Sequence, residues 1–461
     1  MFSKNVFSFL SELGRMRMSS RCFRILAVLS ILPVMGMPVA QAFQVDRGQP
    51  ERSAMTAVVS DTWQALPAAT NQPSARSGYS CIAVGNVIYI FGGVRVQGFG
   101  KMTVNAGPLL GDLWAYNESS NTFVELGSPP ETPSLRQGAC AIYAGGYIYQ
   151  FGGLDQNNQP LNDLWRYDIT SNTWLQIVPA GELPPPSPNA HAVLRGNRIV
   201  FIGVGETKTG TWTFDIDNNM WIQGENYPET APVQEFATFS YAPLDLDSVQ
   251  IWQVDVARQN IYTYDTNTQT WTQEQIPGQF PGSRIGTTFC QIEQKGYVFG
   301  GYSYPAFESL KETWEFDLNT LSWKKLADMP VTMLNPKAAT VETLDGRKVI
   351  VFGNVVDESV GYVLQTCAYQ PPAGALQVTL DPQGALDAGA QWRRGGTTEW
   401  HNSGDTEIGV PVGPQVLEFK RIIGWANPVN VNVMIQADQT VVTEGTYTIP
   451  SAVNPTIWLS Y

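Results

Sequence analysis

Histidine is almost missing from this chain: His191 and His401 are the only two in 461 residues. Together with the lack of paired Cys/His spacings, that scarcity removes the common zinc sites and any centre built on several imidazoles. Basic residues are also few. Twenty-eight Lys and Arg stand against 41 Asp and Glu, a formal charge of −13, so nucleic acid and anionic membrane are repelled rather than bound. Only 15% of residues are charged while 43% are apolar or aromatic, a balance that suits a large β-rich fold with a substantial core.

No apolar run reaches the length of a full membrane span. The longest, Ile25 to Ala40, follows Arg21 and Arg24 and ends at Ala40-Gln41-Ala42 before Phe43. A basic flank, a short apolar core and a small-x-small site describe a cleavable secretory signal peptide. Cleavage is expected after Ala42, giving a secreted or periplasmic protein with no membrane insertion afterwards. The long stretch before Arg21 points to Met16 or Met18 as the start, and no cysteine follows the cleavage site to carry a lipid. Removal of 1–42 takes away Lys4, Arg15, Arg17, Arg21, Arg24 and one acid, Glu12, moving the charge from −13 to −17. Of the four cysteines that remain, Cys81, Cys140 and Cys290 fall in innermost strands and Cys367 in a third strand. These are expected to be free thiols acting as small packing residues.

A short phrase is repeated five times. It reads LWAYNESSNTF from Leu113, LWRYDITSNTW from Leu164, TWTFDIDNNMW from Thr211, IYTYDTNTQTW from Ile261 and TWEFDLNTLSW from Thr313. Its first aromatic (Trp114, Trp165, Trp212, Tyr262, Trp314) recurs after 51, 47, 50 and 52 residues, a period that means a propeller blade per unit. About 20 residues earlier comes an apolar run ending in glycine, such as VIYIFGG or KGYVFGG, and before it another short strand. Each unit thus holds four strands, a to d, with polar c–d turns. DIDNN at Asp215–Asn219 is read as such a turn and not as a calcium loop. A sixth unit has strands near Ala338–Thr343, Lys348–Phe352 and Gly361–Tyr369 but no fourth. DTWQAL, with Trp63 in register with Phe123, Trp174, Trp221, Trp271 and Trp323, supplies it and hides an open sheet edge. The expected fold is all-β: a six-bladed propeller closed by an N-terminal strand.

The double glycines and spaced Tyr/Trp pairs resemble the kelch repeat, matched best in blades 1, 2 and 5, while blade 4 has no glycine pair. The resemblance covers residues 59–370, after a linker at 43–58. From Gly374 to Pro450, alternating apolar and polar residues between Gly, Pro and Asn turns predict a small antiparallel β-sandwich, followed by a tail at 451–461. Its opening, Leu376 to Ala385, and the turn holding Phe419, Lys420, Gly424, Trp425 and Pro428 are similar to PEGA-like modules of bacterial envelope and secreted proteins.

Kelch geometry brings the d–a and b–c loops to one mouth of the central channel. Arg76, Arg136 and Arg284 stand in register before strand a, joined by Glu235 and Lys337; Tyr302 and Tyr304 lie in the b–c loop of blade 5. Arg95, Phe99 and Lys101 lie in a long b–c loop of blade 1. The arginines could form a cationic ring for an anionic group, or bridge neighbouring blades. BTB–Kelch adaptors carry arginines in similar R-S-G and R-I-G contexts, which implies a ligand role for Arg76 and Arg284. This chain lacks the BTB and BACK segments. Copper chemistry of the galactose oxidase kind is excluded by the two separated histidines, and the Asp boxes of sialidases are absent. No catalytic residue, cofactor or metal is expected. The reading is a recognition module for an extracellular glycan or protein ligand, anionic ligands included, with His191 packing in strand a. The alternative is a metal-independent sugar-acid mutarotase or epimerase resembling periplasmic sialate mutarotases, with Glu235 as acid–base group and the arginines on the sugar carboxylate.

Overall fold

The chain is described from a computed structural model, which covers residues 61–450 apart from 98–104, 128–130, 229–237, 242–249, 256–259, 304–305, 344–345 and 358–360. The leader and Ala42, Phe99, Lys101, Glu235 and Tyr304 therefore lie outside the described residues. Six four-stranded antiparallel sheets follow one another along the chain. Blade 1 is Ser80–Val84, Val87–Phe91, Leu113–Asn117 and Thr122–Glu125; blade 5 is Thr288–Ile292, Lys295–Phe299, Thr313–Asp317 and Ser322–Lys325. Blade 4 forms all four strands without its glycines. In blade 6 the chain runs through Leu334–Thr343, Gly346–Asp357 and Gly361–Gln370, each extending beyond the sequence expectation, and the fourth strand is Thr62–Ala65.

One aromatic pair recurs in every blade. Trp63, Phe123, Trp174, Trp221, Trp271 and Trp323 on strand d lie opposite Tyr369, Tyr116, Tyr167, Phe214, Tyr264 and Phe316 on strand c. Such pairs add about 0.5–1.5 kcal/mol each beyond the area they bury, so the repeated phrase is a packing instruction. The c–d turns staple one blade to the one before it. Asn121, Asn172 and Asn219 take positive φ, which Asn tolerates better than most residues. Their amides donate to the carbonyls of Pro67, Leu126 and Val178. In DIDNN the Asp215 carboxylate accepts from the Asn218 amide at 3.0 Å, a turn contact.

The second glycine of each pair is required by close approach. At Gly93 (φ +91°) a Cβ would stand 2.6 Å from the Ser77 carbonyl, and at Gly153 (φ +103°) 2.8 Å from that of Gln137. Strand b leaves its blade by passing against the backbone that enters strand a. The long b–c loop of blade 1 is a ribbon rather than an irregular loop: Val94–Gln97 pairs with Asn105–Leu109 and with Arg76–Ser77.

After the propeller come two three-stranded sheets and a short helix, Gln383–Asp387. The sandwich is not wholly antiparallel. Its first strand, Ala373–Asp381, pairs in parallel with Thr440–Thr446, because period-two patterning assigns a face to a strand and not a direction. Trp392 is fully buried at its centre among Leu376, Val378, Leu417 and Tyr447. The sandwich meets the propeller on the a–b hairpins. Glu293, in the a–b turn of blade 5, accepts from Arg394 Nη1 and Nη2 at 2.8 and 2.9 Å and from Arg347 Nη1 at 2.9 Å. Gly346 of blade 6 lies so near Gly409 that an added Cβ would sit 2.6 Å from its Cα. The d–a and b–c loops emerge at the other end of the blades.

Candidate functional site at the channel mouth

The three arginines are buried, with 0%, 1% and 1% of Arg76, Arg136 and Arg284 exposed. Arg76 and Arg136 make the same set of contacts, and Arg284 a related one with a single nitrogen on its acid. Arg76 Nη1 and Nη2 clamp the Asp112 carboxylate at 2.8 and 2.7 Å, Nη1 also meets the Gly92 carbonyl, and Nε the Ser74 carbonyl. Arg136 repeats this with Asp163 at 2.7 Å twice, Gly152 and Ser134. Arg284 pairs with Glu312 at 2.7 Å and reaches the Gly300 and Pro281 carbonyls. The acid then accepts from an indole two residues on: Trp114 to Asp112 at 2.6 Å, Trp165 to Asp163 at 2.7 Å and Trp314 to Glu312 at 3.0 Å.

The expected cationic ring is thus a ring of ion pairs. Burial alone would raise the Asp112 and Asp163 carboxyls, but the arginine hydrogen bonds and charge, with the indole, outweigh it and hold both below the usual range. Glu312 behaves likewise and is pulled down to about 2 despite burial, by Arg284, Trp314 and Lys325. The clamp ties the entry to strand a to the end of strand b and the start of strand c, which fixes both loops of that blade. The arginine backbones tie blades together as well: Gly93 N donates to Arg136 O at 2.9 Å, and Asn354 of blade 6 exchanges hydrogen bonds with the backbone of Arg76 at 3.0 and 2.8 Å.

Lys337 belongs to a different ring. It pairs with Phe352 just as Ser80, Cys140, His191 and Thr288 pair with Phe91, Phe151, Ile202 and Phe299. These five residues hold one register position in strand a, four residues after the arginine position. Further along strand a, Cys81, Ile142, Ala192, Phe289, Cys290 and Ala338 line a channel cavity of about 330 Å³. Lys337 keeps surface open to channel water, yet protein atoms surround it and burial lowers its pKa, an effect opposed in part by Cys81 and Cys140. Burial, and then the positive charge of Lys337, push the His191 imidazole down to about 4. Cys81 and Cys140 are raised to about 12 by burial. All four cysteines in the described residues are free thiols. Tyr302 is half-buried in a two-residue pairing with Arg284 and Ile285, and Arg95 is exposed on the blade 1 ribbon.

The family follows from this repeated architecture and from comparison. The model of the KLHDC2/KLHL20/DRC7 Kelch-repeats domain matches residues 44–241 and 253–370. The chain belongs to this Kelch-repeat family. It is 25% identical over 283 residues to Kelch domain-containing protein 10 of Xenopus tropicalis, covering 57% of this chain and 67% of that protein. It is 28% identical over 207 residues to Kelch domain-containing protein 1 of Mus musculus, covering 36% and 50%. The chain thus spans about half to two thirds of the length of these relatives.

Asp112, Asp163 and Glu312 are the residues that sequence reasoning missed. Their signal was present: an acid two residues before the tryptophan wherever an arginine stands in register. Blade 3 has Ser187 and Gly210 at those two places, and blade 6 has Met333 and Gln365. Arginine and acid are kept or lost together.

Proposed function

We propose that this Kelch-repeat protein is a secreted or periplasmic recognition module, binding an extracellular glycan or protein ligand on the face that carries the d–a and b–c loops. The observation behind this is the fixing of that face. Buried arginine–acid clamps hold the loops of blades 1, 2 and 5 in place, while the C-terminal sandwich packs against the a–b hairpins instead. Binding residues placed on loops of a rigid scaffold give up little conformational entropy on binding. In this reading Arg76, Arg136 and Arg284 act through the loops they position, Lys337, Tyr302 and Tyr304 face the ligand, and Glu235 flanks it. The C-terminal sandwich, PEGA-like in its opening and its FK…GW turn, is an accessory module of a bacterial envelope or secreted protein.

A glycan-array and thermal-shift screen of the purified chain tests the proposal. A hit whose affinity drops about tenfold in Tyr302→Ala, and is unchanged in Arg393→Ala on the sandwich, supports it. Hits that depend only on the sandwich contradict it.

A further inference from the structure

One loop at the end of the sandwich holds an isoleucine wholly in water. Ile423 is 100% exposed, Val429 in the same loop 86% and Ile449 73%. The loop is nevertheless firmly tied. Ile422 is buried in the sandwich core and Trp425 packs against that core. The Lys420 amide donates to the Gln391 carbonyl at 2.9 Å, and the Tyr447 hydroxyl to the Lys420 carbonyl at 2.7 Å. The Asn427 side-chain amide donates to the Phe419 carbonyl at 3.0 Å. Ala426 and Thr448 exchange backbone hydrogen bonds at 2.8 and 3.1 Å, which sets Ile449 alongside the loop. A loop pinned on both sides of Ile423 cannot fold that side chain inwards. Its burial needs something from outside, as exposed apolar clusters of this kind do.

Position and charge say what that is. The first sandwich strand, Ala373–Asp381, leaves the propeller at Gln370 and runs towards this end, with Thr440–Thr446 parallel to it. The tip thus stands at the end of the sandwich away from where the chain leaves the propeller. No charged side chain occurs from Ile422 to Ala437 or from Gly445 to Tyr461. At the base of the tip Lys420 and Arg421 are balanced by Asp381 and Asp387. A protruding aliphatic tip offers a folded partner neither a groove nor a charge pattern to read. A lipid interface asks for neither, because it yields around the apolar groups that enter it.

We propose that this tip is a membrane-docking site, with Ile423, Val429 and Ile449 entering the headgroup–acyl boundary of a bilayer. Trp425 lies at the level of the interface, where indole is favoured, and Arg421 on its polar side. The contact is peripheral, about 5–10 Å deep, and is not a membrane span. The chain as a whole is acidic, with a formal charge of −13, so an electrically neutral bilayer fits it and an anionic one repels it. The site is separate from the channel mouth and does not depend on recognition there.

Flotation of the purified full chain with phosphatidylcholine vesicles tests the site, with phosphatidylserine vesicles alongside, each at low and high salt. The proposal expects the chain to rise with phosphatidylcholine equally at both salts, and less with phosphatidylserine at low salt. Ile423→Asp changes a side chain that is fully in water, so the melting temperature should stay the same. Its vesicle partition constant should fall at least about tenfold, the loss of one inserted aliphatic side chain. Met434→Asp, an exposed apolar site on the sheet at the other end of the sandwich, should float like the parent. A tip that instead joins two copies of the chain would appear in analytical ultracentrifugation as a dimer that Ile423→Asp dissociates. That result, no flotation with phosphatidylcholine, or equal flotation of Ile423→Asp would overturn the site.

Discussion

The rings of Trp63 and Tyr369 lie with centroids 4.8 Å apart, uniting the first described strand with the last strand of the propeller. Trp63 also meets Phe299 edge-on at 5.4 Å, and its indole donates to the Ala327 carbonyl at 3.0 Å in blade 5. Asp61 beside it accepts from the Tyr369 hydroxyl at 2.9 Å and the Ala327 amide at 3.0 Å. One short strand thus completes blade 6 and seals it to blade 5.

Trp63→Ala should therefore cost about 3 kcal/mol, the lower end for a large aromatic because Trp63 is half-buried. Deleting residues 43–67 should cost more and expose a sheet edge that promotes aggregation. Urea unfolding and light scattering measure both. An unchanged midpoint in the deletion contradicts closure by this strand.

The arginine clamps predict large stability losses on single substitution and small ones on double substitution. Arg136→Ala leaves the partly buried Asp163 without its cation and should cost about 3 kcal/mol, whereas Arg136→Met with Asp163→Leu should cost much less. A double-mutant cycle in urea reads the coupling. Additive losses would mean that the two side chains do not act as a pair.

Acid sensitivity follows from Glu312. Its carboxyl is held near 2 in the fold against an ordinary value of 4.5. The stability it contributes is complete above 4.5 and disappears as pH falls towards 2. Asp112 and Asp163, also lowered, add in the same direction. Glu312→Gln should be less stable than the parent at pH 7 and should lose less further stability between pH 5 and 2.5. Parallel stability curves for the two proteins would contradict the assignment.

The thiols give an independent check. With burial holding Cys81, Cys140, Cys290 and Cys367 near 12, a maleimide at pH 7 should label them slowly in the native protein. In denaturant without reductant all four should react, as counted by mass spectrometry. Protection in pairs would mean disulfides.

The architecture was legible because the repeat writes it out. The strand d aromatic and its strand c partner recur at fixed offsets, so Trp63 could be assigned to blade 6 across the length of the propeller. The site was legible in position more than in role. Arg76, Arg136 and Arg284 were found in register, but their carboxylates lie 27 to 36 residues further along, inside a phrase already explained by its aromatics. Lys337 is the basic residue nearest the start of strand a in blade 6, but Met333 holds the arginine position there, and pairing to Phe352 puts Lys337 four residues on, in the inner ring. The parallel strand pair of the sandwich could not be read, since alternation is the same in either direction.

The central claim, recognition on the d–a and b–c loop face, is tested most directly by hydrogen–deuterium exchange of the full chain with and without a bound hit from the glycan or protein screen. The account predicts slowed exchange in segments 76–97 and 302–303 and at the start of the blade 6 innermost strand, with the a–b hairpins around Glu293 and Gly346 unchanged. Protection confined to those hairpins or to the sandwich would contradict it.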